Sequence, residues 1–225
     1  MHVQFKAENL YIHVPFCMKK CNYCDFYSIP HNQELEKSYV RAVLRELELQ
    51  CQSVSKVKTI FLGGGTPSIL SQELLGALMQ RIRDLFDVET NAEITIEANP
   101  ATLDGEKCFF LKNIGFNRMS IGAQSTYITE LVCLGRMHEW EQIPALYHAA
   151  RRAGFSNLSV DLIYGIPGQT LDSWNDSLKR ICALTPEHLS VYELTPEPNT
   201  RLAQQLSGGM LALPSEDTVA AMFML

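Results

Sequence analysis

Short apolar runs alternate with longer amphipathic stretches six times along this chain, and that alternation restricts the possible folds more than any other feature. The apolar runs cover residues 10–14, 57–62, 93–98, 118–122, 158–163 and 188–194. Runs of this length are typical of buried strands, whereas the stretches between them repeat apolar residues at helical spacing. Strands that alternate with helices predict an α/β fold with a parallel sheet, either a doubly wound open sheet or a barrel-like one.

The helical stretches are predicted at residues 33–50, 71–86, 104–113, 126–133, 139–153 and 170–184, with a last one beginning at Pro214. Ser71 is the expected N-cap of the second, and Gly115 and Gly154 are expected to follow helix ends. In both candidate folds, ligands bind at the carboxyl ends of the strands. The unusual residues of this sequence fall there, one group per strand, which predicts a single active site.

The composition is that of an ordinary globular protein, because 46% of the 225 residues are hydrophobic and 20% are charged. We expect one domain over residues 1–225 with a substantial core. The net charge is −6 and there is no basic run, which argues against a nucleic-acid partner. No apolar stretch reaches the length of a transmembrane segment, and the first residues lack a signal-peptide core. The sequence therefore predicts a cytoplasmic protein with reduced thiols.

Three cysteines, Cys17, Cys21 and Cys24, follow the first predicted strand at spacings of four and three. Thiolates are the ligands of iron–sulfur clusters, and three of them can hold three corners of a four-iron cluster and leave one iron open. A buried helical stripe would also have this spacing, but the neighbouring residues are too polar. Zinc is the stronger rival, although its structural sites prefer four ligands. A disulfide is disfavoured in a chain with seven cysteines and no secretory signal.

Several residues near the other strand ends are unusual enough to be candidates. Three glycines, residues 63–65, permit close approach of the backbone to a ligand, although a plain tight turn has the same composition. Glu97 ends the third predicted strand and Asp161 lies inside the fifth. Carboxylates in a parallel strand need a partner, although Glu97 also fits a solvated edge. The histidines His13, His138 and His188 are expected to be structural.

The remaining four cysteines are expected to be core or partly exposed thiols on helical stretches. They are Cys51, Cys108, Cys133 and Cys182.

The segment Tyr-Ile-His-Val-Pro-Phe-Cys, followed by Cys-Asn-Tyr-Cys-Asp-Phe, resembles the cluster motif of radical S-adenosylmethionine enzymes. Within them it is similar to the branch that contains oxygen-independent coproporphyrinogen III oxidase and the haem chaperone HemW. The resemblance covers residues 9–201 with all motifs in family order. It implies a partial (βα)6 TIM-like barrel, a 4Fe–4S cluster on Cys17, Cys21 and Cys24, and S-adenosylmethionine bound to the open iron.

The same resemblance implies which residues contact S-adenosylmethionine. The glycine loop with Gly64, Gly65 and Thr66 would meet the amino group, and Arg136 would pair with the carboxylate. The other contacts implied by the resemblance are Tyr11, Tyr23, Glu97, Gln124 and Asp161. No further catalytic residue is assigned.

The resemblance implies a haem chaperone that delivers haem to respiratory proteins, because Phe26 stands where the oxidase usually carries a further cysteine. The alternative is an enzyme, the oxidase itself, which decarboxylates coproporphyrinogen III, and a zinc-stabilised interaction domain is a third possibility. Both the chaperone and the oxidase imply an external electron donor. Family members are longer, so the chain resembles a truncated form that lacks the C-terminal haem motif. Peripheral membrane association through a partner stays open.

Overall fold

The computed structural model describes residues 6–225. Its strands are β1 (Ala7–Val14), β2 (Phe16–Cys17), β3 (Ile29–Pro30), β4 (Val54–Gly64), β5 (Val88–Ala98), β6 (Arg118–Gln124), β7 (Asn157–Tyr164) and β8 (His188–Glu193). Its helices are α1 (Gln33–Gln50), α2 (Gln72–Leu85), α3 (Gly105–Asn113), α4 (Ile128–Leu134), α5 (Gln142–Arg152), α6 (Leu171–Cys182), α7 (Arg201–Ser207) and α8 (Glu216–Phe223).

Six of these strands form one sheet within residues 6–225, in the order β1-β4-β5-β6-β7-β8, and every neighbouring pair is parallel. Each strand is joined to the next by at least one helix, as right-handed crossovers require. The predicted α/β fold of six strand–helix units is therefore confirmed. Since β1 and β8 are the two ends of the strand order, the barrel is partial.

Helix boundaries follow the capping residues of the sequence. Asn32, Ser71, Asp104 and Thr170 each accept hydrogen bonds from the first backbone N–H groups of the helix that follows. Such caps satisfy donors that have no partner within a helix. The prediction of Ser71 as an N-cap is confirmed, and the helix predicted at residues 33–50 has the observed bounds.

The two faces of the sheet differ in character. Residues that face the helices are buried and apolar, including Ile60, Leu62, Ile96, Met119, Val160 and Leu162. The alternate positions of the same strands face the inside of the barrel and carry polar side chains such as Glu97, Ser120, Ser159, Asp161 and Ser190. Because strand side chains alternate between faces, each strand contributes apolar residues to the core between the sheet and the helices, and polar residues to the inside of the barrel.

The sequence analysis did not predict three short elements, which are β2, β3 and α7. Cys17 follows the first long strand, as expected, but it belongs to a short strand of its own, β2, which pairs with β3. Helix α7 follows Thr200, whose side chain caps it. The expectation about a signal peptide concerns in part residues 1–5, which lie outside the described residues. Among residues 6–225, no helix is both long enough and apolar enough to cross a membrane.

Candidate functional site

A cavity of about 660 Å³ opens at the carboxyl ends of the strands. It brings together residues from the cysteine loop and from the ends of β4, β5, β6 and β7. The predicted site residues that line it are Cys17, Cys21, Tyr23, Cys24, Gly64, Gly65, Thr66, Glu97, Gln124, Arg136 and Asp161. The prediction that unusual residues after successive strands meet at one place is thereby confirmed.

Tyr11 is the predicted site residue that does not line this cavity. Its side chain is 60% exposed and stacks on Phe61, with ring centroids 6.0 Å apart. Its hydroxyl is 3.1 Å from His13 Nδ1. Tyr11 therefore lies beside the cavity on the inner face of β1, where its contacts are aromatic.

Two of the three thiols in the cysteine loop receive polar contacts from two other motifs. The Thr66 hydroxyl donates to Cys17 Sγ, and Arg136 Nη1 donates to Cys21 Sγ, both at 3.7 Å. Donors of this kind favour the thiolate, which is the form that binds metals. Burial raises the pKa of Cys24 above its ordinary value, the opposite of what a ligand needs. A positive metal centre would offset that burial, since metal-bound thiols are deprotonated.

A single metal ion is not what this arrangement fits. Among the described residues, no group of three or more His, Cys, Asp or Glu side chains is assembled closely enough to hold one ion. All seven cysteines are free thiols. The zinc-stabilised alternative therefore has no assembled ligand set within residues 6–225. A four-iron cluster makes a different demand, because each thiolate binds its own iron.

Asn22 anchors the cysteine loop to the rest of the fold, although it is an ordinary polar residue in the sequence. Its side-chain amide donates to Cys133 O at 2.9 Å, and its backbone N–H donates to Leu134 O at 2.9 Å. Its carbonyl accepts from the Leu202 N–H at 2.7 Å. The loop is thus held at the end of α4 and the start of α7. Gly135 packs against Asn22 so closely that a Cβ there would lie 2.8 Å from the Asn22 amide.

The glycine loop needs glycine at two positions for different reasons. Gly64 has φ +111°, a conformation that side chains strongly disfavour. A Cβ on Gly65 would lie 2.7 Å from the carbonyl oxygen of Phe16, the residue before Cys17. The Gly65 N–H also donates to Val14 O at 2.7 Å. The glycines therefore let β4 approach the start of the cysteine loop at backbone contact.

Two carboxylates, those of Glu97 and Asp161, line the same cavity. Burial raises the pKa of Glu97 to about 7, with a further rise from the negative charge of Asp161 and an opposing hydrogen bond from the Gly64 N–H. Burial also raises the pKa of Asp161, against hydrogen bonds from Ser120 and Ser190 that lower it. The Ser120 hydroxyl lies 3.0 and 3.2 Å from the two Asp161 oxygens. Ser120 is a site residue that the sequence analysis missed.

Arg136 is a half-buried cation whose Nε is a buried donor without a partner within residues 6–225. Its Nη2 donates to Gly122 O at 2.5 Å, and Tyr23 also hydrogen-bonds to it. Its Nε is buried and has no hydrogen-bond partner among the described residues. A buried guanidinium without a carboxylate partner is costly, so it fits a site that receives an anionic group. Gln124, at the end of β6, has φ +67° and also lines the cavity.

The histidines that were expected to be structural make internal contacts. His13 Nε2 is 2.8 Å from Tyr27 O, and His138 Nε2 is 3.0 Å from Ala123 O. Burial and the charge of Arg136 lower the pKa of His138 to about 4, so its ring is neutral. His188 contacts the Ser159 hydroxyl inside the barrel.

These observations fit the groups that the sequence analysis predicted. Three thiols face one cavity, two of them with donors on sulfur, and a guanidinium with a free N–H and two carboxylates line the same space. That donor set suits an iron–sulfur cluster together with a cofactor that bears an amino-acid group and hydroxyls. Glycines at the end of β4 leave room for the backbone to reach that cofactor.

A family model described as the Radical SAM superfamily matches residues 11–181 of the chain. Among curated proteins, the chain is 36% identical to the haem chaperone HemW of Haemophilus influenzae over 222 residues, which is 96% of this chain and 57% of that protein. It is 37% identical to HemW of Bacillus subtilis over 219 residues, 96% of this chain and 58% of the relative. The chain thus spans less than two thirds of the length of the relatives it matches.

Among solved structures, coproporphyrinogen III oxidase (HemN) of Escherichia coli, described as a radical SAM enzyme, superposes with a TM-score of 0.89. Its sequence identity is 31%, and the match covers 99% of this chain and 52% of that one. The methyltransferase TsrM of Kitasatospora setae superposes with a TM-score of 0.67 at 16% identity, which shows the fold alone. Both comparisons agree with the predicted partial barrel.

Proposed function

The chain belongs to the radical SAM superfamily, and on that premise we propose that it binds a 4Fe–4S cluster and S-adenosylmethionine and serves in the binding and delivery of haem. The observation that carries the proposal is the convergence of three thiols, the glycine loop, two carboxylates and a half-buried arginine on one cavity. Members of this superfamily bind both of these cofactors. When bound and reduced, the cluster would supply an electron to S-adenosylmethionine.

Cys17, Cys21 and Cys24 are the proposed ligands of the cluster. Thr66 and Arg136 donate to two of their sulfurs, which lowers the electron density on the thiolates and favours the ligating form. Asn22 holds the loop against α4, so the three thiols keep their relative positions. The fourth iron would have no protein ligand, which leaves it to the cofactor.

Arg136 and the glycine loop are the proposed anchors of the methionine part of the cofactor. The unpaired Nε of Arg136 suits a carboxylate, because guanidinium–carboxylate pairs are strong and directional. The amino group would be surrounded by Gly64, Gly65, Thr66 and Glu97.

The remaining proposed contacts are with the other parts of the cofactor. A carboxylate at Asp161 suits the hydroxyl groups of the ribose, and Gln124 and Tyr23 would complete the contacts. Tyr11 would reach the cofactor only from the side.

Haem delivery is favoured over porphyrinogen oxidation by the residue at position 26. Phe26 lines the mouth of the cavity, is 69% exposed, and cannot act as a metal ligand or a thiol. In the oxidase branch a cysteine is usual at this position. The identity of 35–37% to several HemW proteins supports the same choice. Haem, its acceptors among respiratory proteins, and an electron donor are the proposed partners.

The first experiment is anaerobic reconstitution of the cluster, followed by electron paramagnetic resonance of the reduced protein with and without S-adenosylmethionine. We expect a four-iron signal that changes on addition of the cofactor and is lost in Cys21→Ala. The matched control is Cys182→Ala, which removes an exposed thiol at the end of α6. A signal that is unchanged in Cys21→Ala would contradict the proposed ligand set.

The second experiment separates the chaperone from the oxidase. Haem-loaded protein is mixed with an apo-cytochrome, and the reconstituted protein is separately given coproporphyrinogen III together with S-adenosylmethionine and a reductant. Haem transfer without decarboxylated product supports the chaperone. Turnover of coproporphyrinogen III would overturn it in favour of the oxidase, to which the chain is similar in fold and at 31% identity.

A further inference from the structure

A row of hydroxyl groups crosses the inside of the barrel from Asp161 to the opposite end of the sheet. Asp161 lies beside Ser190 in the pairing of β7 with β8, and Ser159 lies beside His188 two residues earlier. The Ser159 hydroxyl is 3.0 Å from His188 Nδ1 and 3.3 Å from the Ser190 hydroxyl. Ser190 in turn neighbours Asp161 across the strand pair, and its hydroxyl lowers the pKa of that carboxyl. The side chains of His188, Ser159 and Ser190 are thus joined by hydrogen bonds, and Ser190 stands next to Asp161 at the end of this row.

The two ends of this row of side chains, Asp161 and His188, lie in different environments. Asp161 lines the cofactor cavity at the carboxyl ends of the strands. His188 is exposed and lines a second, shallow depression at the amino ends of the strands, together with Glu93, Arg118 and Glu187. Ser159, between them, is fully buried. This row of side chains therefore connects solvent on one side of the barrel with the proposed cofactor site on the other.

The direction of the hydrogen bonds follows from the number of protons. A carboxylate only accepts, and a hydroxyl has one proton to donate. Charge-assisted bonds are the stronger ones, so the Ser190 proton goes to Asp161. The Ser190 oxygen is then free to accept the Ser159 proton. In this arrangement the Ser159 oxygen accepts from a proton on His188 Nδ1, which also lies 3.5 Å from the Ser190 hydroxyl.

We propose that His188 is a positioning residue for the cofactor site, which orients the Asp161 carboxylate through a one-way chain of donors over Ser159 and Ser190. Asp161 receives the Ser120 hydroxyl from one neighbouring strand and the Ser190 hydroxyl from the other, so both flanking strands fix the rotation of its carboxylate. The proposal rests on the proposed function, because Asp161 is there a contact of S-adenosylmethionine. Loss of the His188 donor would free the Ser159 and Ser190 hydroxyls to rotate away.

The charged groups around Asp161 and His188 agree with proton donation towards Asp161. Burial raises the pKa of Asp161, while the hydrogen bonds of Ser120 and Ser190 and the positive charges of Arg118 and His188 lower it. Glu97 is the other carboxylate in the cavity, and the negative charge of Asp161 raises its pKa. Glu187, beside His188, is paired with Arg151 from α5 at 2.8 Å.

The test uses two measurements on the same variants. Nitrogen-15 NMR of the ligand-free chain reports the tautomer of His188, whose signals are identified by their loss in His188→Leu. We expect the Nδ1–H form in the wild type. A neutral ring protonated on Nε2 alone would overturn the proposal, because Ser159 would then donate towards His188.

Binding of S-adenosylmethionine to the reconstituted protein is the second measurement. We expect His188→Leu to weaken binding about fivefold, the usual net effect of one hydrogen bond. His188→Asn should restore it, since its amide nitrogen can replace the Nδ1 donor. Ser190→Ala should cost a similar factor, and the double variant His188→Leu/Ser190→Ala should lose no more than Ser190→Ala, because both act through one chain.

The outcomes separate the two proposals. Wild-type protein that fails to bind S-adenosylmethionine would overturn the proposed function and with it the role of His188. Normal binding by His188→Leu would overturn the role of His188 alone. Additive losses in the double variant would do the same, because they would mean that His188 and Ser190 act independently.

Discussion

The backbone N–H of Gly64 donates a hydrogen bond to Oε2 of Glu97 at 3.0 Å, which joins the carboxyl ends of two neighbouring strands. This is the one hydrogen bond that lowers the pKa of Glu97, and it does not offset the burial that raises it to about 7. Near neutral pH the ligand-free site therefore holds a carboxyl group that is partly protonated. Folding and protonation of Glu97 are linked in consequence.

We expect Glu97→Gln to flatten the pH dependence of stability in the ligand-free chain. Below the unfolded pKa of 4.5, both states bind the proton and Glu97 contributes nothing. Between 4.5 and about 7 only the folded state keeps it, so the contribution of Glu97 becomes unfavourable as pH rises and levels off above that range, at up to about 3 kcal/mol. Urea unfolding at about pH 5 and about pH 8 measures the difference.

The control for this prediction is Glu46→Gln, which neutralises an exposed carboxylate on α1. It should leave the difference between the two pH values close to that of the wild type. An equal pH dependence in Glu97→Gln and the wild type would show that Glu97 is ionised in the folded chain at the lower pH as well.

Gly65→Ala is expected to destabilise the chain by about 1–3 kcal/mol, as overpacking does, and to lower the iron bound per chain. The added methyl would press on the carbonyl of Phe16, next to the ligand Cys17. Thermal unfolding and iron analysis after reconstitution measure the two effects. Gly76→Ala is the matched control, because its Cβ would meet Phe110 at 3.7 Å and α2 would gain about 1 kcal/mol in helix propensity.

Arg136→Lys should weaken the binding of S-adenosylmethionine about tenfold, or about 1.4 kcal/mol, while the cluster still forms. Lysine keeps the positive charge but cannot donate to Cys21, Gly122 and a carboxylate at once, as the guanidinium fork can. Calorimetric titration of the reconstituted protein measures the affinity. Arg152→Lys, an exposed change on α5, should bind as the wild type does. Equal affinities for Arg136→Lys and wild type would remove Arg136 from the site.

Asn22→Ala should cost about 1 kcal/mol through the lost hydrogen bond to Cys133. We also expect faster removal of iron by a chelator, since the cysteine loop would be held to α4 by its backbone alone. The rate of cluster loss, followed by absorbance, is the decisive measurement. Asn113→Ala at the end of α3 serves as control. Identical rates in the two variants would mean that the backbone contacts suffice.

The parts of the fold that were predictable are those with a local cause. Strand positions follow from apolar runs, and helix starts follow from caps such as Ser71 and Asp104, so both can be read within a few residues of sequence. The cavity was also predictable in outline, because parallel strands bring their carboxyl ends to one edge. The partial barrel, in contrast, required the resemblance, since periodicity fits an open sheet equally well.

The parts that were missed depend on contacts between distant residues. Ser120 and Asn22 are ordinary polar residues in sequence, and their partners, Asp161 and Cys133, lie 41 and 111 positions away. Helix α7 has only seven residues, too few for a clear period, although Thr200 is a recognisable cap. Tyr11 was included by motif, but its neighbour Phe61 keeps it beside the cavity. No local pattern reports such pairs.

The hydrogen bond from the Leu202 N–H to Asn22 O has a consequence for biosynthesis. These two residues are separated by 180 positions, so a ribosome that adds ~5–20 residues per second makes the second roughly 10 to 40 seconds after the first. During that interval, Cys17, Cys21 and Cys24 have left the ribosome without the contact that completes the docking of their loop. The nascent thiols must stay reduced over this time, and iron delivered after Leu202 has emerged meets a loop already in place.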